Sequence, residues 1–311
     1  MDMAERDRLS PKLRGTLRRD EPMAKHVSWR AGGKVRTFYQ PADLEDLVVF
    51  VRSLPAREPV LVVGLGSNLL VRDGGFAGTV LFTHHALTGI RQEASRNGRL
   101  LFTAGAGVPA PHLARFVAKH GGAGAEWMAG IPGTIGGALA MNAGCYGGET
   151  WKQVERVTVL SREGVLVTRS SEDYVIGYRH VVPKRAHDEW FVSGTFSFAP
   201  GDEAKAMQRI KELLSKRVAT QPLNEPNAGS VFRNPDGDHA ARLIEAAGLK
   251  GYAVGGAQVS TKHANFIVNK GGASAADIEA VIDHVQATVL ARNGIELVRE
   301  VRIVGVAKRE A

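Results

Sequence analysis

An α+β fold is predicted for this chain, on three observations. Short runs rich in β-branched and aromatic residues, such as Pro59–Val63 and Trp190–Phe198, recur between turn residues and read as strands. Stretches with apolar residues at helical spacing are few, and the two longest fall after a Pro200-Gly201 boundary. Glycine-rich loops follow the strands, but none opens a helix in the pattern of a wound dinucleotide-binding sheet.

The composition narrows the class. The 311 residues suffice for two or three domains, and 44% hydrophobic with 23% charged content is ordinary for a globular protein. The net charge of +8 is scattered, with no basic run interleaved with aromatics. General surface bias accounts for such a spread, an anionic small ligand would fit it, and a nucleic-acid partner is not supported. The single Cys145 leaves no internal disulfide. Residues 1–22 are polar, of mixed charge, and lack the apolar core of an export signal. No continuous apolar span would cross a membrane. A cytoplasmic protein is expected.

Along the chain, residues 1–22 read as a mobile or weakly helical leader. His26–Gly33 ends in a glycine pair and leads into a strand at Val35–Tyr39. Pro41 and Asp43 open a helix with Leu44, Leu47, Val48 and Val51 on one face. Strands follow at Pro59–Val63, Gly78–Thr83 and Leu100–Ala104, then a helix at Pro111–Lys119. Beyond the glycine-rich stretch come strands at Val154–Ser161, Val165–Arg169 and Trp190–Phe198. A long helix runs from Asp202 to about Ala219, and a short one from His239 to Ala247, ended by Gly248. Ser274 with Asp277 three residues on forms a capping box for a last helix, which Gly294 ends. Glu296–Val304 reads as the final strand.

The chemistry concentrates in two loops. Glu126–Gly148 (E-W-M-A-G-I-P-G-T-I-G-G-A-L-A-M-N-A-G-C-Y-G-G) carries no charge after Glu126 and contains seven glycines. Such a segment exposes backbone N–H groups to phosphate oxygens or polar ring edges, with Thr134 and Asn142 as polar partners. Gly64–Asn68 (G-L-G-S-N) lacks the third glycine of a dinucleotide fingerprint, yet its N–H groups with Ser67 and Asn68 can cradle a pyrophosphate. A plain turn is the alternative for either loop taken alone.

Three polar residues stand out. Ser230, in N-A-G-S-V-F-R-N-P, is placed as a held, partly buried hydroxyl or as a turn residue; no nucleophile elbow surrounds it. Arg179, in D-Y-V-I-G-Y-R-H, can clamp a carboxylate or make a structural ion pair. Glu300 lies among apolar neighbours, which is costly unless it is matched by an arginine such as Arg299 or Arg302, or is catalytic with a perturbed pKa. The histidines lack ligand spacing, so no metal site is expected. Cys145 reads as a small buried residue, with a reactive thiol or a flavin link as alternatives.

Taken together, G-S-N-L-L at Gly66–Leu70, A-G-I-P-G-T-I-G-G-A at Ala129–Ala138, M-N-A-G at Met141–Gly144, Y-R at Tyr178-Arg179, N-A-G-S-V-F-R-N-P at Asn227–Pro235 and H-A-N-F-I-V-N at His263–Asn269 resemble the UDP-N-acetylenolpyruvoylglucosamine reductase (MurB) family. The resemblance spans roughly residues 22–307, with the motifs in register. It implies a flavin-binding fold of the vanillyl-alcohol-oxidase (PCMH) type over residues 23–200, with two subdomains split near residue 84. A C-terminal α+β substrate domain would occupy residues 201–311. The chain length looks like the shorter, type II subclass.

By resemblance, FAD is bound non-covalently. Gly64, Gly66, Ser67 and Asn68 would take its pyrophosphate, and Gly133, Thr134, Gly136, Gly137, Asn142 and Gly144 would line the flavin. The family's catalytic positions fall on Arg179, Ser230 and Glu300. The implied reaction uses NADPH to reduce FAD, after which UDP-GlcNAc-enolpyruvate enters the same cleft and takes hydride at C3. Arg179 with Glu300 would stabilise charge on the enolised carboxylate, and Ser230 would protonate C2. Tyr178, Arg217, Arg233 and Asn234 are the expected substrate contacts, and a monomer is expected. Leu65 replaces a more usual glycine, Cys145 a more usual alanine, and Val181 a serine that often follows the Y-R-x segment.

Overall fold

The computed structural model describes residues 13–185 and 188–308. Thr16–Pro22 form strand β1, so this part of the expected leader is extended rather than weakly helical; residues 1–12 lie outside the described residues. Ordering begins at Asp46. Its buried carboxylate accepts from the Arg14 N–H (2.8 Å), the Ala42 N–H (2.9 Å) and the Tyr39 hydroxyl (2.6 Å). A buried carboxylate needs such donors, and they pin the chain ahead of β1 to the sheet.

Strand β2 (Lys34–Gln40), helix α1 (Leu44–Ser53), β3 (Val60–Val63), β4 (Leu69–Val71) and β5 (Phe76–Phe82) complete the first unit. Its sheet runs β1-β2-β5-β3, with β1 antiparallel to β2 and the remaining pairs parallel. The Asp43 side chain caps α1 by accepting from the Asp46 N–H at 2.9 Å.

The second unit contains β6 (Ile90–Gln92), β7 (Leu100–Gly105), α2 (Ala110–Lys119), β8 (Gly122–Ala123), α3 (Ile135–Met141), β9 (Gly144–Cys145), β10 (Gly148–Glu149), β11 (Val154–Ser161), β12 (Leu166–Arg169), β13 (Tyr174–Gly177), β14 (His180–Pro183) and β15 (Glu189–Pro200). Its main sheet has the antiparallel order β12-β11-β15-β7-β6. The sequence reading passed over the β13–β14 hairpin, whose Val175 and Val182 are exposed and give little alternation to read. It also took Ile135–Met141 as loop. Glycine disfavours a helix there, but Ile135, Ala138 and Leu139 are buried in the core of this unit, and that packing holds the turn of helix.

Then come α4 (Glu203–Thr220), α5 (Ala240–Ala246), β16 (Ala253–Val254), β17 (Ala257–Val259), β18 (Ile267–Asn269), α6 (Ala275–Asn293) and β19 (Arg302–Val304). The buried face of α4, Ala206 and Ile210, packs with residues of the second unit, whereas α5 and α6 share a core with Trp29, Ala31 and Leu70 from the first. The Trp29 indole donates to the Ile267 carbonyl at 2.7 Å, and Asn269 donates to the Trp29 carbonyl at 2.9 Å. Asp73 accepts from the Ala275 and Ala276 N–H groups at 3.0 and 2.9 Å, where the dipole of α6 favours a carboxylate. The Ser274–Asp277 capping box and a left-handed Gly294 (φ 67°) bound α6 as its sequence predicts. The expected strand at Glu296–Val304 is shorter, because only Arg302–Val304 pair with β4, in parallel. Glu300 therefore lies in irregular chain just ahead of β19.

Candidate active site

Where the three units meet there is a cleft of about 500 Å³, within the range of small-molecule and cofactor sites. Gly64, Gly66, Ser67 and Asn68 line it from the turn after β3, and Gly133, Thr134, Gly136, Gly137 and Gly144 from the glycine-rich stretch. Arg179, Ser230, Glu300 and Arg217 reach it from four other segments.

Glycine is demanded here for two different reasons. Gly66 has φ +61°, and a Cβ on it would meet the His26 carbonyl oxygen at 2.2 Å, so the protein itself excludes a side chain. Gly137 is the opposite case. A Cβ there would meet no protein atom closer than 3.9 Å, and at Gly133 none closer than 3.5 Å. These positions face open cleft, and a side chain would fill space that only a ligand needs. Thr134 is 1% exposed, yet its Oγ1 has no hydrogen-bond partner. A buried hydroxyl without a partner costs free energy unless something else supplies one. A cradle that side chains would obstruct, with an unpartnered hydroxyl in its wall, fits a large planar cofactor with a pyrophosphate such as FAD.

Not every expected ligand contact points inward. The buried Asn142, in a left-handed backbone (φ 41°), donates to the Gly177 carbonyl and accepts from the Trp151 N–H, both at 3.1 Å. It ties the glycine-rich stretch to the β13–β14 hairpin and does not line the cleft. The Asn68 amide donates to the Glu300 carbonyl at 3.1 Å, and its own carbonyl accepts from the Arg302 N–H at 3.1 Å. Tyr178 is 47% exposed and carries the Arg179 guanidinium over its ring. Asn234 accepts from the Ala240 N–H at 3.2 Å at the start of α5. Neither Tyr178, Asn234 nor Arg233 is among the cleft-lining residues.

The polar wall is built around one ion pair. The Arg179 Nε donates to Glu300 Oε1 at 2.7 Å, and its Nη2 donates to the Gly144 carbonyl at 2.8 Å. Of the matches open to Glu300 from its neighbours, neither is made. Arg299 turns to Asp283 and Glu279, and Arg302 lines the cleft without an ion pair among the described residues. Both side chains of the pair are 16% exposed. Burial raises the Glu300 pKa above the ordinary carboxylate value, while Arg179 and then Arg233 oppose that shift. Ser230 lies in the same wall, and no described protein group hydrogen-bonds its hydroxyl.

Arg217, in the last turn of α4, lines the cleft. Its Nε donates to Gln221 Oε1 at 2.8 Å, and no carboxylate pairs with it among the described residues. Burial lowers its pKa, but guanidinium stays charged in proteins. A buried cation held by a neutral amide keeps its full charge for an anionic ligand. Gln221, Tyr174 and Trp190 also line the cleft, and sequence reasoning missed them. Only the four-residue spacing of Arg217 and Gln221 on one helix face offered a signal.

Cys145 lines the cleft as a mostly buried thiol, with Sγ 2.9 Å from the Trp127 carbonyl oxygen. Burial pushes its pKa up to about 11. At pH 7.5 its thiolate fraction is then on the order of a hundredfold below that of an unperturbed thiol, and alkylation needs the thiolate. Iodoacetamide is expected to label the folded protein correspondingly slowly and the urea-unfolded chain at the ordinary rate, read by mass spectrometry. Equal rates would refute a suppressed thiol.

Among the described residues, no group of three His, Cys, Asp or Glu is placed to hold a metal ion, and no helix is long and apolar enough to cross a membrane. His187 lies outside the described residues.

Comparison with known proteins places the chain in a family. Residues 35–170 match a family described as FAD binding domain, and residues 221–304 match UDP-N-acetylenolpyruvoylglucosamine reductase, C-terminal domain. The chain is 57% identical over 305 residues to the UDP-N-acetylenolpyruvoylglucosamine reductase of Thiobacillus denitrificans, covering 95% of this chain and 94% of that one. It is 50% identical over 294 residues to the enzyme of that name from Legionella pneumophila, with 94% of each covered. The crystal structure of the Thermus caldophilus enzyme superimposes with a TM-score of 0.76 at 29% identity, over 94% of this chain and 99% of that one. With a glycine cradle, a buried Arg179–Glu300 pair and matches running almost end to end, this chain belongs to the UDP-N-acetylenolpyruvoylglucosamine reductase family.

Proposed function

We propose that this protein reduces the enolpyruvyl ether of UDP-N-acetylenolpyruvoylglucosamine to the lactyl ether of UDP-N-acetylmuramate, using NADPH, in peptidoglycan precursor synthesis. The observation that carries the reading is the composition of one cleft. Its glycine wall leaves a hydroxyl without a partner, and its opposite wall presents a buried arginine–carboxylate pair beside a free serine hydroxyl.

FAD, held non-covalently by Gly64, Gly66, Ser67, Gly133, Thr134, Gly136 and Gly137, supplies hydride chemistry when bound. The protein's own groups then do the following work. Arg217 meets the diphosphate with a charge that no carboxylate neutralises. Arg179 donates to the substrate carboxylate, and Glu300 holds the guanidinium at its Nε so that the outer nitrogens stay directed. Preorganised donors of this kind stabilise charge as it develops. Ser230 Oγ gives its proton to C2, a role that requires the hydroxyl to come within hydrogen-bond reach of that carbon. Residues 23–200 act as the FAD-binding part and residues 201–311 as the substrate-binding part, in a cytoplasmic monomer.

The test is a pair of anaerobic half-reactions on the flavin-loaded protein. NADPH is expected to bleach the visible absorbance of the oxidised flavin, and UDP-N-acetylenolpyruvoylglucosamine to restore it. A reduced protein that ignores this substrate but reacts rapidly with oxygen would instead be an oxidase.

A further inference from the structure

Arg233, an expected substrate contact, donates in the structure to the main chain of Arg179. Its backbone is fixed firmly. The Arg233 N–H donates to the Val298 carbonyl at 2.8 Å. Phe232 next to it is 2% exposed, and Asn265 grips it twice, accepting from its N–H at 3.0 Å and donating to its carbonyl at 2.8 Å. From this base the Arg233 Nη2 donates to the main-chain carbonyl of Arg179 at 3.2 Å, while its Nε is buried with no partner among the described residues.

The residue it reaches needs holding. Arg179 occupies the turn between β13 and β14 with φ +54°, a left-handed backbone that non-glycine residues adopt at a cost. Strain of this kind persists only where surrounding structure enforces it. Tyr174, Ile176 and Val181 pack one face of the hairpin on the core of the second unit, but Val175, Val182 and Tyr178 of the turn itself are exposed. Charged donors make strong hydrogen bonds, and this one crosses 54 residues of sequence to the peptide that carries the catalytic guanidinium.

We infer that Arg233 is a positioning residue: by clamping the Arg179 carbonyl it holds the strained turn that aims the Arg179 guanidinium, rather than binding the substrate diphosphate. The inference rests on Arg179 and Glu300 acting on the substrate carboxylate. The charged groups that bear on Glu300 are Arg179, from the hairpin, and Arg233, from the loop after Ser230. Loss of Arg233 therefore also removes one of the cations that keep the Glu300 carboxylate ionised.

The flavin-loaded Arg233→Gln protein tests this in both half-reactions. Substrate-driven reoxidation is expected to slow by about tenfold to a hundredfold at saturating substrate, the scale on which a small misplacement of a catalytic group acts. The acidic limb of its pH profile is expected to move to higher pH. KM for the substrate and flavin reduction by NADPH should stay within about twofold, and Arg233→Lys should recover part of the rate with the limb unmoved. A raised KM at unchanged kcat would make Arg233 a diphosphate ligand and overturn the inference, as would wild-type kcat and pH profile. Arg233→Met keeps the buried stem and carries the same expectations where the glutamine protein does not fold. Failure of the wild-type protein to be reoxidised by the substrate would instead refute the proposed function, whatever the variants do.

Discussion

Ser230→Ala is expected to slow substrate-driven reoxidation of the reduced flavin by roughly 10²–10⁴-fold, the usual worth of a positioned general acid. Reduction of the flavin by NADPH should be nearly unchanged. Serine is a weak acid in water, so its value depends on placement. Ser230 lies in the cleft wall with Arg179 and Glu300, and its hydroxyl is not engaged by any described protein group. It follows Gly229, whose backbone is left-handed (φ 74°), and it precedes the fully buried Val231, whose N–H donates to the Asn265 carbonyl at 2.9 Å. The backbone is thus set by buried neighbours while the side chain stays available. Alanine removes only the hydroxyl, and stability should change by less than about 1 kcal/mol at a partly exposed loop position. Rapid-mixing absorbance of the two half-reactions decides the matter. If both slow together, the residue shapes the cleft as a whole and is not the proton donor.

Gly137→Ala is expected to push stability and cofactor binding in opposite directions. Gly137 sits within α3, where alanine is the better helix former by about 1 kcal/mol. Its Cβ would meet only Thr134 Oγ1, at 3.9 Å, an ordinary van der Waals contact without strain. The flavin-free protein should therefore melt at a slightly higher temperature. The same methyl group projects into the cleft, where overpacking costs about 1–3 kcal/mol and so weakens FAD about tenfold to a hundredfold. Equilibrium dialysis and thermal melts of the flavin-free protein measure the two effects separately. Unchanged FAD affinity would mean that Gly137 faces away from the cofactor. Gly66→Ala marks the contrast, since its methyl group would strike the His26 carbonyl and should destabilise the apoprotein as well.

The sequence by itself determined the fold class, most element positions and the class of ligand. Glycine loops without charge expose backbone donors wherever they are folded, and capping signals such as Ser274–Asp277 act within a single turn of helix. These are local properties, so a linear reading reaches them. What only the tertiary structure decided were the contacts between remote segments. Glu300 had arginines beside it in sequence, yet it pairs with Arg179, 121 residues away, because chain direction just ahead of β19 sends Arg299 outward to α6 and turns Glu300 into the cleft. Asn142, expected at the flavin, has its buried amide bonded to the Gly177 carbonyl and the Trp151 N–H, two backbone groups remote in sequence. Arg233, expected at the diphosphate, donates to the Arg179 carbonyl 54 residues away. A side chain's partner is set by distance and desolvation in the folded state, and neither quantity is carried by the order of residues along the chain.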